Sequence, residues 1–244
     1  MKKINKILLT ILTIIVFAFA AVVVWQYDNI SALLNGMNKS TEDLALEIDK
    51  KRDDLKTEVE KYTNSPIIDI TAEDEQKLIK GEISLEEISE KYNLPIEYMK
   101  DEEVNKAPED ISTEIPIEIP TEVPVDNSKQ IEKEIGDSVG RMYALKAKYV
   151  NKLGELEREV IDQYAKLPES KQNMDAKKEL VMSNLDYIAK LEKTCDTDVE
   201  EVISSMEKNL KDLGGDLKII QILKKSYNDE KELKKSYYLS LYNE

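Results

Sequence analysis

The chain has 244 residues, no histidine, one cysteine and a formal net charge of −15. The missing histidine removes the commonest general base and metal ligand, together with every Ser/His or Cys/His arrangement. One cysteine makes neither an intramolecular disulfide nor a zinc or iron–sulfur site. Seven Gly, two Phe and one Trp, in a chain rich in Glu, Lys, Leu and Ile, are the composition of long helices rather than sheets.

The charge is unevenly placed. Residues 1–27 carry +3, residues 28–127 hold 27 acids against 11 bases, and residues 128–244 hold 23 acids against 21 bases. Such an acidic chain is unsuited to nucleic acid or anionic lipid headgroups, both of which need a basic surface. It reads instead as a solvated, self-repelling middle segment.

Ile7–Trp25 is a run of 19 apolar or near-apolar residues behind Lys2, Lys3 and Lys6, and no charge recurs until Asp28. As a helix the run spans roughly 28 Å, close to a bilayer's hydrocarbon core. Trp25 and Tyr27 fall where an interfacial aromatic belt belongs, and the lysines place the N-terminus in the cytoplasm. The alternative is a signal peptide cleaved after Ala20, at Ala18-Phe19-Ala20. Val22–Trp25 continue the run past that site, which favours a retained single-pass anchor. Either reading exports the rest of the chain.

From residue 28 to 62, Ile30, Leu34, Met37, Leu44, Ile48, Leu55 and Tyr62 mark a narrow helical seam with Thr41, Lys51 and Glu58 at its gaps. Ser40 or Thr41 caps a helix ahead of Glu42 and Asp43. The seam predicts a weak coiled coil and a route to a homo-oligomer through the stalk. Residues 69–100 read as a small acidic hairpin. Thr71 caps one helix, with Asp74 as its capping-box partner, and Gly81 ends it. Ser84 with Glu87 caps a second helix, Leu85–Tyr92, which Asn93-Leu94-Pro95 ends. Ser84–Pro95 is similar to half of a helix-turn-helix, but residues 69–103 hold 12 acids and 4 lysines, the wrong sign for DNA.

Residues 101–127 contain a three-fold repeat of Glu, a β-branched residue and Pro, Glu114–Val125. Its prolines disfavour both helix and central strand, so Pro108–Val125 reads as an extended spacer of up to roughly 55 Å. From 128 on, three apolar series appear. Ile131, Ile135, Met142, Leu145, Tyr149, Leu153, Leu156, Val160, Tyr164 and Leu167 define one helix of nearly 40 residues. Val181, Leu185, Ile188, Cys195, Val199, Val202, Met206, Leu210 and Leu213 define a second, from about 171 to 213. Gly214-Gly215 ends it, and Asp216 caps a third helix through Leu241. Gly154, in mid-helix, marks a tight contact, since it costs about 1 kcal/mol there relative to Ala.

The fold predicted is all-α: cytoplasmic tail and transmembrane anchor (1–27), juxtamembrane helical stalk (28–68), acidic helical hairpin (69–100), acidic Pro-rich linker (101–127) and an antiparallel three-helix rod (128–244). No cofactor or metal site is expected. Asp196-x-Asp198-x-Glu200 lacks the turn glycine and closing glutamate of a calcium loop. The surface candidates are Tyr227, Tyr237, Tyr238 and Tyr242, because Tyr combines a large area with a polar tip.

This layout, with Gly214-Gly215-Asp216 and the ending Glu230-Lys-Glu-Leu-Lys-Lys-Ser-Tyr-Tyr-Leu-Ser-Leu-Tyr242, resembles uncharacterised membrane-anchored helical proteins of low-GC Gram-positive bacteria. The resemblance implies a membrane address and supplies no activity. The expected function is a non-enzymatic interaction or scaffold module outside the cytoplasm. The alternatives are a sensory or regulatory anchor and, more remotely, a carboxylate-only hydrolase.

Overall fold

A computed structural model describes residues 39–64, 69–101, 126–173, 176, 179–180 and 183–241, without the side chains of residues 185 and 238–241. The apolar run Ile7–Trp25, the Pro-rich repeat and Tyr242 lie outside the described residues. All regular structure among the described residues is helical: α1 (Thr41–Val59), α2 (Ala72–Lys80), α3 (Leu85–Tyr92), a 3-10 turn (Ile96–Tyr98), α4 (Ser128–Ala165), a second 3-10 turn (Glu169–Lys171), α5 (Leu185–Leu213) and α6 (Lys218–Leu241).

Local chemistry sets the helix ends. Ser40 Oγ accepts from the Asp43 amide at 3.1 Å and so caps α1. Ser84 and Glu87 form the full reciprocal capping box of α3. Gly81 and Gly214 close α2 and α5 in the left-handed conformation, at φ of 71° and 74°. Asn93 does the same for α3 at φ 50°, which its short polar side chain tolerates. The expected box of α2 is only half made. Thr71 accepts from the Asp74 amide, but the Asp74 carboxylate turns to Lys91 and Tyr92, and the Tyr92 hydroxyl receives the Thr71 N–H instead.

The second long helix does not run unbroken from 171. A turn at Asn184 interrupts it, and α5 begins at Leu185. Ser183 Oγ and Asn184 Nδ2 both donate to the Leu180 carbonyl at 2.8 Å. Short polar side chains of this kind compete with the helix's own amides for that oxygen.

The chain divides into two compact units, one holding the described residues up to Lys56 and from Ile222 onward, the other Thr57–Gln221. In the larger unit α4 and α5 are antiparallel. Asn127 reaches the Leu213 carbonyl, while Tyr149 and Lys148 reach Asp198, so positions rise along one helix as they fall along the other. Helices α2 and α3 and the first 3-10 turn also pack on α4. The expected miniature core is buried at Leu78, Ile79, Ile88, Tyr92, Leu94 and Met99, but its lid is α4. Gly154 explains the fit. A Cβ there would lie 2.6 Å from Ile79 Cα, so only glycine lets α2 approach this closely.

The described residues that flank positions 102–125 both meet α4. Asp101 pairs with Lys148 and Lys152 of α4, and Asp126 leads directly into α4. Asp101 and Asp126 are therefore both placed along one helix, roughly 37 Å apart at 1.5 Å per residue. The residues before it and after it belong to one unit.

In the smaller unit α1 pairs with α6. Leu44, Ile48 and Leu233 form a buried cluster, with Tyr237 packed against it. Lys51 bonds Asp229 at 2.8 Å and Arg52 bonds Glu230 at 3.1 Å. Partners rise along α1 as they fall along α6, so this pair is antiparallel too. The third predicted helix of the rod is thus a helix, but its residues from Ile222 onward group with α1.

Candidate functional site

The densest set of buried titratable side chains lies where α4 meets its neighbours. On one face Lys146 lies 3.0 Å from Glu75 and 3.4 Å from Asp69. Eight and twelve residues further on, Gly154 and Arg158 touch α2, and the Arg158 guanidinium donates to the Ile79 carbonyl in its last turn. Arg158 thereby satisfies an oxygen that a helix C-terminus leaves without an intrahelical partner. On the other face the Tyr149 hydroxyl donates to Asp198 at 2.6 Å, with Lys148 at 3.4 Å.

The electrostatics follow the geometry. Burial pushes the Tyr149 hydroxyl above its ordinary range, and its hydrogen bond to the Asp198 carboxylate pushes the same way. It therefore stays a protonated donor. Asp74 is only 2 % exposed, and the hydrogen bonds from Lys91 and Tyr92 hold its carboxyl below the usual range against desolvation. In the α1–α6 pair, desolvation pushes Asp229 up, but Lys225 and Lys51 outweigh it and hold the carboxyl low. Among the described residues every buried side-chain nitrogen and oxygen has a hydrogen-bond partner. This network joins helices, and each named group in it is engaged across an interface or with its own helix.

Of the candidate tyrosines, the side chains of Tyr227 and Tyr237 are described. Tyr237 is half-buried against Leu44, Ile48 and Leu233, and so belongs to the α1–α6 seam. Tyr227 is half-buried with Lys231 Nζ 5.4 Å from its ring centre. The Tyr238 side chain and Tyr242 lie outside the described residues. Asp198, from the calcium-like triplet, is taken up by Tyr149 and Lys148, and among the described residues no three ligating side chains gather as a metal site. Two shallow hollows follow α5, one along Lys193, Asp196, Thr197, Glu200 and Glu201, the other along Glu207, Lys208, Lys211 and Asp212. Each is lined by that single helix.

Sequence reasoning missed Arg52, Lys146, Tyr149 and Asp198 as polar clasps. Lys51 carried a signal: a lysine at a gap in an apolar seam asks for an acid across from it, and Asp229 answers. Comparison with known proteins adds nothing to this picture: no family model, no curated protein and no solved structure matches the chain.

Proposed function

We propose that this protein is a membrane-tethered, extracytoplasmic helical module that acts by binding another protein and not by catalysis. Ile7–Trp25 is its single-pass anchor, with Lys2, Lys3 and Lys6 on the cytoplasmic side. The alternative address is secretion after cleavage following Ala20. The observation that carries the scaffold reading is the use made of the buried polar groups: Asp74, Glu75, Lys146, Tyr149 and Asp198 are spent on joining helices. A rigid helical surface is the asset such a module offers a partner.

The test is in-cell cross-linking of the full chain followed by membrane fractionation. The expected result is recovery in the membrane fraction with a discrete cross-linked partner. Recovery only in the soluble fraction, or only a ladder of random adducts, overturns the reading. A regulatory anchor is the second reading, favoured by the Lys146 ion pairs with Asp69 and Glu75 that border the contact of residues 69–101 with α4. Its signature is a partner whose binding changes when Lys146→Ala loosens that contact.

A further inference from the structure

Lys146 meets two carboxylates at once. Its Nζ lies 3.0 Å from Glu75 Oε1 and 3.4 Å from Asp69 Oδ1. All three side chains are largely withdrawn from water, at 14% exposed for Lys146, 9% for Glu75 and 21% for Asp69. Lys148 also has two acids near it, but Asp198 at 27% and Asp101 at 69% are more open to water. The surroundings hold the three groups in place. Buried Leu145 and Ala147 flank Lys146 on α4, and the Tyr143 ring centre, one turn earlier, is 5.5 Å from Nζ. Buried Ile70 follows Asp69, and buried Leu78 lies one turn beyond Glu75.

An ammonium and a carboxylate held together form an ion pair or, with loss of water, an amide. Burial favours the amide, because the pair keeps two charges in a water-poor site and the amide is neutral. Groups already fixed at about 3–3.5 Å react without the entropy cost of meeting. The reaction also needs a carrier for protons, and a second carboxylate on the amine supplies one.

We propose that Lys146 and Asp69 form an intramolecular amide cross-link, with Glu75 as the proton carrier. Glu75 takes a proton from the Lys146 ammonium and passes it to the Asp69 carboxylate. The Nζ lone pair then attacks Asp69 Cγ and the C–N bond forms. Glu75 moves a second proton from the nitrogen to the departing hydroxyl, one C–O bond breaks, and water leaves. Glu75 ends as the carboxylate it began as, and no oxidant or cofactor is consumed. The nearer and more buried acid suits the carrier, while Asp69 stands at the distance of a group ready for attack. The bond joins positions 77 residues apart and ties residues 69–101 to α4. With one cysteine the chain has no intramolecular disulfide for this purpose, and an amide closes the same kind of long loop.

The full chain, purified from cells, is digested with trypsin and read by tandem mass spectrometry beside Lys146→Arg, Asp69→Ala and Glu75→Gln. The expected product is one peptide pair joining Asp69 to Lys146, lighter by one water than its two parts, with no cut after Lys146. Lys146→Arg and Asp69→Ala should give linear peptides only, and Glu75→Gln should form the bond about 100-fold more slowly. Linear peptides alone from the folded native chain, or a bond from Lys146 to Glu75, overturn the proposal. An undiminished rate in Glu75→Gln overturns the role of Glu75. The decisive measurement is on the native chain, so it stays readable where a variant fails to fold, and it reads the same whether or not the N-terminal segment is retained.

Discussion

Two helix contacts in this protein are built on opposite principles. Helix α2 docks on α4 by close backbone approach: Gly154 leaves room for Ile79, Leu78 and Ile88 are fully buried, and charges from Asp69, Glu75 and Lys146 ring the contact. Helix α1 meets α6, among the described residues, through a buried cluster of Leu44, Ile48 and Leu233, and ion pairs extend the seam through Lys51, Arg52, Asp229 and Glu230. The first contact is set by shape, since only one residue type fits at Gly154. The second is set by charge complementarity, which fixes register but stabilises little wherever water reaches it.

The largest effect expected is at Arg52. Its side chain is 8% exposed and faces Glu230 at 17%. Arg52→Ala leaves Glu230 with Lys234 at 3.6 Å as its remaining named partner, and should cost about 3 kcal/mol. Hydrogen exchange would localise the loss to residues 41–56 and 222–241 and leave 72–92 protected. Replacing Arg52 and Glu230 together by methionines should recover most of it, because no buried charge is then left alone.

Gly154→Ala should produce the mirror image. Alanine favours the helix by about 1 kcal/mol, but the clash with Ile79 outweighs this, for a net loss of about 2 kcal/mol. Exchange should quicken across residues 72–92 and stay unchanged in α1. A net gain in stability would show that the backbone approach is looser than described.

Asp74→Asn comes next, at about 1–2 kcal/mol, because it weakens the bonds from Lys91 and Tyr92 to a buried acceptor. It also carries a pH signature. The folded carboxyl titrates below its ordinary value of about 4, so its stabilisation is present above that value and fades as pH falls through the lowered folded one. The native hairpin should therefore lose exchange protection in that acid range, and the Asn variant should lack this component.

The smallest effect is at Lys51. Its pair with Asp229 is about one-third exposed on each side, so Lys51→Met should cost less than about 1 kcal/mol, read in the same exchange experiment.

The boundaries of most helices were legible because caps are local: Ser84 with Glu87, Gly81, Gly214 and Asp216 each act within a few residues. Asn184 was not. The apolar spacing keeps its phase through it, and its competition for the Leu180 carbonyl depends on how the backbone is already turned. Pairings were harder still. The face of α4 that meets residues 69–101 includes Gly140 beside Pro95 and Gly154 beside Ile79, small residues that give little hydrophobic signal, whereas the stripe with Tyr149 and Leu156 stood out. Without that second stripe, nothing in the sequence points from residues 69–100 to α4. The pairing of α1 with α6 was hidden by sequence distance: nothing near Lys51 points to Asp229. For a related reason the sequence does not show that Tyr237 packs in a seam whose other half lies nearly 200 residues earlier.

The docking of residues 69–101 on α4 is central, because it puts the described residues on either side of positions 102–125 in one unit. Pulsed dipolar spectroscopy on the full chain tests it, with spin labels on Gln76→Cys and Glu155→Cys in the Cys195→Ser background. The account predicts one narrow distance distribution, unchanged when Glu114–Val125 is replaced by a flexible segment of equal length. A broad distribution that shifts with that replacement would contradict it.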